Sequence, residues 1–312
     1  MKLLRRLLIV VATWRLIGPP LRPRFIAHQE HPFRVPARTY FVGDLEFGVR
    51  EQGPPDAPAL VMIHGLAGSS LAEWYKVVPL LSDRHRVIMI DHRSHGFSHT
   101  DRGRFEIDDD ADDVAAVMAQ LHVDQAVVVG YSMGGTVAQS LAYRHPHLVS
   151  GLVLVGTMSH HPPAWRWARI VGVIITRGWE RLTGTGTPEV RTIYLLATGA
   201  VDPKHAQWLW DETHRRDPDA GAAASLALFR FDSRSWLARV QQPVLVIIPT
   251  RDQLVPVSWQ YELASGMANA EVREVIKGHH ELPWSHPDVL AEAIDAFVKQ
   301  HVGDPSPLHA QP

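Results

Sequence analysis

Short apolar runs recur along the chain at 59–63, 86–90, 126–130, 151–155, 244–248 and 271–276, separated by segments of helix length. Runs of that kind read as parallel strands buried on both faces. Upstream, 38–42 and 45–51 flank Gly43-Asp44 and predict a hairpin-like start to the sheet. The spacing of apolar positions predicts amphipathic helices over 70–81, 109–121, 133–144, 258–267 and 287–300. Strand and helix alternate, so the fold class is α/β, with a mostly parallel, doubly wound sheet.

The alternation stops between 157 and 235, where helical segments are broken by Pro162-Pro163, by Gly184 to Pro188 and by Asp217-Pro218. A stretch that long is not a loop, and it reads as a helical lid inserted between two strands. It carries Trp165, Trp167, Trp179, Trp208 and Trp210, together with apolar positions at 170–175 and 194–196. The expectation is that these side chains cover a cleft above the sheet. The core is then 25–156 together with 236–302, and 303–312, with three prolines, is a disordered tail.

Residues 1–24 stand apart. Leu3, Leu7, Val11 and Trp14 fall on one side of a helix, while Lys2, Arg5 and Arg6 lie away from them. The run is too short to span a bilayer, and no small-x-small cleavage site follows it. The reading is a cytoplasmic protein whose residues 1–17 form a basic amphipathic segment suited to peripheral contact with a membrane surface.

Composition narrows the chemistry. The 312 residues carry a formal net charge of −2, and 46% of them are hydrophobic. That balance gives no basic stripe for nucleic acid. The chain has no cysteine, which removes disulfides, thiolate-bound zinc and a thiol nucleophile. His160-His161 lacks a zinc-site spacing, and the acidic run Asp108-Asp109-Asp110-Ala111-Asp112-Asp113 lacks the glycine and terminal glutamate of a calcium loop. The acidic run reads as a solvated helix start, favoured by the helix dipole. No metal and no cofactor is expected, and no nucleotide-binding glycine loop is present.

The chemistry sits at the ends of the runs. Gly130-Tyr131-Ser132-Met133-Gly134 matches G-x-S-x-G between a predicted strand and a predicted helix. In that setting a tight, strained turn exposes the serine Oγ, and the flanking glycines let the helix cross back over the strand. The N–H of Met133, at the helix start, faces developing negative charge as half of an oxyanion hole. A serine nucleophile needs a base, and the base an orienting carboxylate. Asp252 follows the run 244–248, and His279-His280 follows 271–276, in the chain order Ser, Asp, His.

With those residues in place the chain resembles the α/β-hydrolase fold family, in particular its lidded esterase and lipase-like members, from about Phe33 to Val302. Five motifs carry the resemblance. His64-Gly65-Leu66-Ala67-Gly68-Ser69 is similar to the family's H-G-x-x-G loop, which implies that the amide near Leu66 is the second oxyanion donor. Asp91 to Ser98 is similar to the D-x-R-G-x-G-x-S turn, with Ser94 in place of the first glycine. The segments 130–135 and 252–256 and the paired histidines complete the set. Within the family a glycine before the catalytic histidine selects His279, whereas a proline seven residues later selects His280. The later residue has more reach from the last strand, and His280 is favoured.

The expected reaction is acyl transfer from an apolar carboxylic ester to Ser132, followed by hydrolysis, with histidine as general base and then acid and Asp252 stabilising the imidazolium. His64, Gly65, Tyr131, Trp165 and Trp284 are candidates to line the substrate. A carbon–carbon bond hydrolase or a cofactor-free perhydrolase would use the same triad, and a non-catalytic ligand-binding protein could keep the same shell. Oligomeric state is not written in the sequence.

Overall fold

The computed structural model describes residues 35–99, 105–183, 186–215 and 217–303. The amphipathic segment expected at 1–24 and the tail beyond Gly303 lie outside the described residues. Eight strands form one sheet: β1 (Arg38–Val42), β2 (Leu45–Gln52), β3 (Ala59–Ile63), β4 (Arg86–Ile90), β5 (Ala126–Tyr131), β6 (Val149–Val155), β7 (Val244–Pro249) and β8 (Ala270–Val275). Their order is β1-β2-β4-β3-β5-β6-β7-β8. β2 pairs antiparallel with both neighbours and the remaining pairs are parallel, so one described strand runs against the other seven.

The helices are α1 (Ser70–Trp74), α2 (Val78–Leu81), α3 (Ile107–Gln120), α4 (Met133–Arg144), α5 (Pro163–Thr183), α6 (Thr187–Ala197), α7 (Ala206–His214), α8 (Pro218–Arg230), α9 (Val257–Ser265), α10 (Leu282–Ser285) and α11 (Pro287–His301). The single helix expected over 70–81 is two. Proline has no N–H to donate and its ring collides with the carbonyl four residues back, so Pro79 cannot continue a helix through Tyr75, and α2 restarts around it.

Side chains alternate between two cores, one on each face of the sheet. Val61 and Ile63 of β3 join Val114, Met133, Val137 and Leu263 on one face. Leu60 and Met62 join Trp74, Leu81, Leu290 and Phe297 on the other. The central strands are buried on both faces, which is why they read as unbroken apolar runs. β8 departs from that expectation. It is an edge strand, and Glu271, Val272 and Glu274 are exposed on it.

The sheet order sets the place of the site. β3 lies between β4 and β5, so the chain leaves β3 on one side and returns through β5 on the other. A crevice opens at such a switch point, beyond the carboxyl ends of the strands. The loops after β3 and β5 bound it, and α5 to α8, between β6 and β7, are the elements of the helical insertion. Among the described residues no helix is long and apolar enough to cross a membrane.

The insertion's tryptophans do not gather over a cleft as expected. Trp167 is 73% exposed and Trp179 is also exposed. Trp208 packs against the second core and Trp210 stacks on His214. The side chain of Trp165 lies outside the described ones. Trp167, Ile174, Ile175, Leu182, Val190 and Ile193 instead present an apolar face on α5 and α6 to solvent.

Candidate active site

β5 ends in a turn where Ser132 has φ 53° and ψ −117°, a left-handed conformation that costs a serine about 1–3 kcal/mol unless its surroundings hold it. They do. Ser132 N–H donates to Val155 O (2.9 Å) and the Thr157 hydroxyl donates to Ser132 O (2.7 Å). The glycines follow from crowding: a Cβ on Gly130 would lie 2.5 Å from Gly134 O, and one on Gly135 would lie 2.5 Å from the Thr157 side chain. α4 then begins at Met133, whose N–H belongs to the unpaired first turn of the helix.

The loops after β7 and β8 are joined by backbone. Arg251 N–H donates to Gly278 O (2.8 Å), and Lys277 N–H donates to the Thr250 hydroxyl (2.8 Å). That junction brings Asp252 to His280. His280 Nδ1 lies 2.8 Å from Asp252 Oδ2, and His280 Nε2 lies 3.0 Å from Ser132 Oγ. A carboxylate only accepts, so the hydrogen sits on Nδ1 and Nε2 is left to accept from the serine. Asp252 is buried and held in place: Oδ1 accepts from the N–H groups of Leu254 (2.8 Å) and Val255 (2.9 Å), and Oδ2 accepts from Gln260 Nε2 (3.1 Å). The structure thus brings His280 to Ser132 and Asp252, while His279 lies on the rim of a neighbouring cavity with Tyr194 and Glu281.

Aromatic rings back the imidazole. The Tyr131 ring is 5.2 Å from that of His280 and makes edge contacts with Trp74 and Trp284. Burial, helped by the charges of Glu73 and Asp252, pushes the Tyr131 phenol well above its ordinary range. Trp284 is buried, its indole N–H donates to Ala72 O (2.8 Å), and it lines the same neighbouring cavity as His279.

The loop after β3 meets Ser132 directly: a Cβ on Gly65 would lie 3.2 Å from Ser132 Cβ. His64 does not line the substrate as expected. Its ring is fully buried; His92 N–H donates to Nε2 (3.0 Å) and Nδ1 donates to Gly65 O (2.7 Å). Burial, with His92 and His95 beside it, holds His64 well below its ordinary pKa and so neutral. A trans peptide sets C=O and N–H on opposite sides, so the bond that draws Gly65 O toward His64 turns the Leu66 N–H the other way.

The acidic run is only partly solvated. Asp108 and Asp109 are exposed, but Asp110 and Asp113 are buried. Asp110 pairs with His92 Nδ1, and Asp113 takes two bonds from Arg93, one at 2.9 Å. Burial pushes His92 down, yet the Asp110 carboxylate outweighs it and leaves the imidazole raised, while His92 in turn holds the Asp110 carboxyl below its ordinary range. Ser94 adopts φ 54°, which explains why a glycine suits that position.

His161 follows β6, and both of its ring nitrogens are without a hydrogen-bond partner among the described residues. Phe229 and Trp259 flank it at 4.9 and 5.5 Å. Burial chiefly, with Arg169 and His160 adding, lowers its pKa from 6.5 to about 3. The unfolded chain takes up a proton here below pH 6.5 and the folded chain does not until about pH 3, so stability falls as pH drops through that window. His161→Phe is expected to lose less stability than the wild type between about pH 7 and about pH 5, measured by urea unfolding. Identical pH dependence in the two proteins would refute this assignment.

Glu73, Arg191 and Gln260 were not evident in the sequence. Glu73 lies inside a predicted amphipathic helix, and its partner Arg191 is 118 positions away, so no local pattern marks them.

A family model described as alpha/beta hydrolase fold matches residues 58–181. The chain is 27% identical over 257 residues to 3-oxoadipate enol-lactonase 2 of Acinetobacter baylyi, across 82% of this chain and 94% of that one. It is 30% identical over 274 residues to the magnesium-chelatase 30 kDa subunit of Rhodobacter capsulatus, across 80% of this chain and 91% of that one. The solved structure of the enol-lactonase from Burkholderia xenovorans matches with a TM-score of 0.72 at 24% identity, over 84% of this chain and 100% of that one, a likeness of fold. With its sheet order, its strained serine turn and these relatives together, the chain belongs to the α/β-hydrolase fold family.

Proposed function

We propose that the protein is a serine hydrolase that cleaves an apolar carboxylic ester through an acyl-enzyme on Ser132. One observation carries the reading: the continuous line from Ser132 Oγ through His280 to Asp252, at 3.0 and 2.8 Å. His280 takes the serine proton as Oγ attacks the ester carbonyl, and the proton passes to the departing alcohol. Water, activated by the same imidazole, then releases the acid. The N–H groups of Met133 and Leu66 hold the oxyanion, where loss of one such donor typically costs about 2.7–4 kcal/mol. The relative named as an enol-lactonase supports cleavage of an acyl C–O bond.

The alternative is a protein that binds a ligand in the same shell without turning it over. A fluorophosphonate probe separates the two. Stoichiometric labelling of Ser132, with turnover of p-nitrophenyl esters graded by chain length, is expected for the enzyme. Folded protein that neither labels nor turns over any ester is the binder.

A further inference from the structure

We infer that Arg191, on the insertion, and Glu73, on α1, are positioning residues that set the oxyanion loop, so the insertion must be seated for the reaction to run. This rests on the reading of Ser132 as nucleophile. Glu73 is fully buried behind the loop. Its Oε2 accepts from Gly65 N–H (2.5 Å), and its Oε1 accepts from Arg191 Nη1 (2.9 Å). The same guanidinium donates to the next two carbonyls, Leu66 O (3.3 Å) and Ala67 O (2.8 Å).

The consequence falls on one N–H. The peptide before the Leu66 Cα is held by His64 on Gly65 O, and the peptide after it by Arg191 on Leu66 O. With both neighbouring planes fixed, the Leu66 N–H has one direction, away from His64. The loop would not hold this shape alone: Ala67 sits at φ 58°, and such a conformation persists only where neighbours impose it. Its carbonyl is the one Arg191 holds at 2.8 Å. Gly68 has no side chain because a Cβ there would run into the Glu73 carboxylate.

Charge requires the partnership as well. Burial raises the Glu73 pKa, and Arg191 is the main group that opposes it. With Arg191 withdrawn, the Glu73 carboxyl would stay buried on Gly65 N–H without its counter-charge, and its hold on the loop would weaken. α7 adds a second tie, since the Ser69 hydroxyl donates to Glu212 Oε2 (3.1 Å).

A mutant cycle on the full chain tests this with a short-chain p-nitrophenyl ester. Arg191→Gln is expected to lower kcat about 100-fold with KM unchanged, the mark of a contact made only in the transition state. Glu73→Gln keeps an acceptor for Gly65 N–H and removes the charge. Glu73→Gln with Arg191→Gln should therefore recover at least about tenfold of the loss, where independent sites would add. Should Arg191→Gln not fold, Arg191→Lys carries the test: an ammonium keeps the charge but not the planar fork, and kcat falls about tenfold. Wild-type kcat in folded Arg191→Gln or Arg191→Lys, or strict additivity, overturns the inference. Fluorophosphonate labelling of the wild type is the control. If Ser132 labels and the variants label at the wild-type rate, positioning alone fails; if the wild type does not label, the nucleophile fails and the inference with it.

Discussion

Ser132→Ala is expected to hydrolyse a short-chain p-nitrophenyl ester about a million-fold more slowly than the wild type while remaining folded. The fold survives because the contacts that hold this turn are to backbone: Ser132 N–H on Val155 O and the Thr157 hydroxyl on Ser132 O. Alanine takes the same left-handed conformation at the same cost, so the unfolding midpoint should hardly move. What disappears is the oxygen 3.0 Å from His280 Nε2. His280→Ala should lose nearly as much, and the double variant no more than either, because a base without its nucleophile does nothing. Additive losses, or Ser132→Ala within tenfold of the wild type, would mean that turnover runs by another route.

Much of this site was legible because each of its parts follows a strand. Parallel strands buried on both faces leave unbroken apolar runs, and the residue that ends such a run is placed at the carboxyl edge of the sheet. Ser132 and Asp252 follow from that, as does Gly65 beside the nucleophile. Between His279 and His280 the sequence offered only the argument of reach, which favours His280; the placement itself depends on how the loops after β7 and β8 are joined, through Arg251 and Gly278. Pro79 breaks a helix that the apolar spacing continues, since spacing says nothing about a missing N–H.

Other departures share a cause: a polar side chain's role depends on a partner remote in sequence. Asp110 and Asp113 read as solvated until His92 and Arg93 are brought over them. His64 looks like a substrate contact from its motif, but its two nitrogens serve the backbone on either side. The insertion's tryptophans were expected to face inward because apolar surface should be covered. Trp167 faces solvent instead, on the same helix as Ile174 and Ile175.

Asp252→Asn is expected to lower kcat about ten-thousand-fold at neutral pH with the protein still folded. The environment of this carboxylate decides how asparagine sits. On one side two N–H donors, of Leu254 and Val255, aim at Oδ1, and an amide NH2 turned toward them would leave buried donors unpaired. Asparagine must therefore keep its oxygen there and present its NH2 to His280 Nδ1. An imidazole that accepts at Nδ1 carries its hydrogen on Nε2, and it can no longer take the proton from Ser132 3.0 Å away. Gln260 Nε2, which also donates to Val255 O (2.9 Å), would then face a donor across 3.1 Å and lose one of its two acceptors. Alanine at 252 should cost less than asparagine, because a base free to choose its tautomer is better than one held in the wrong one. The order of the two variants is the test: asparagine no worse than alanine would show that the carboxylate acts only by its charge.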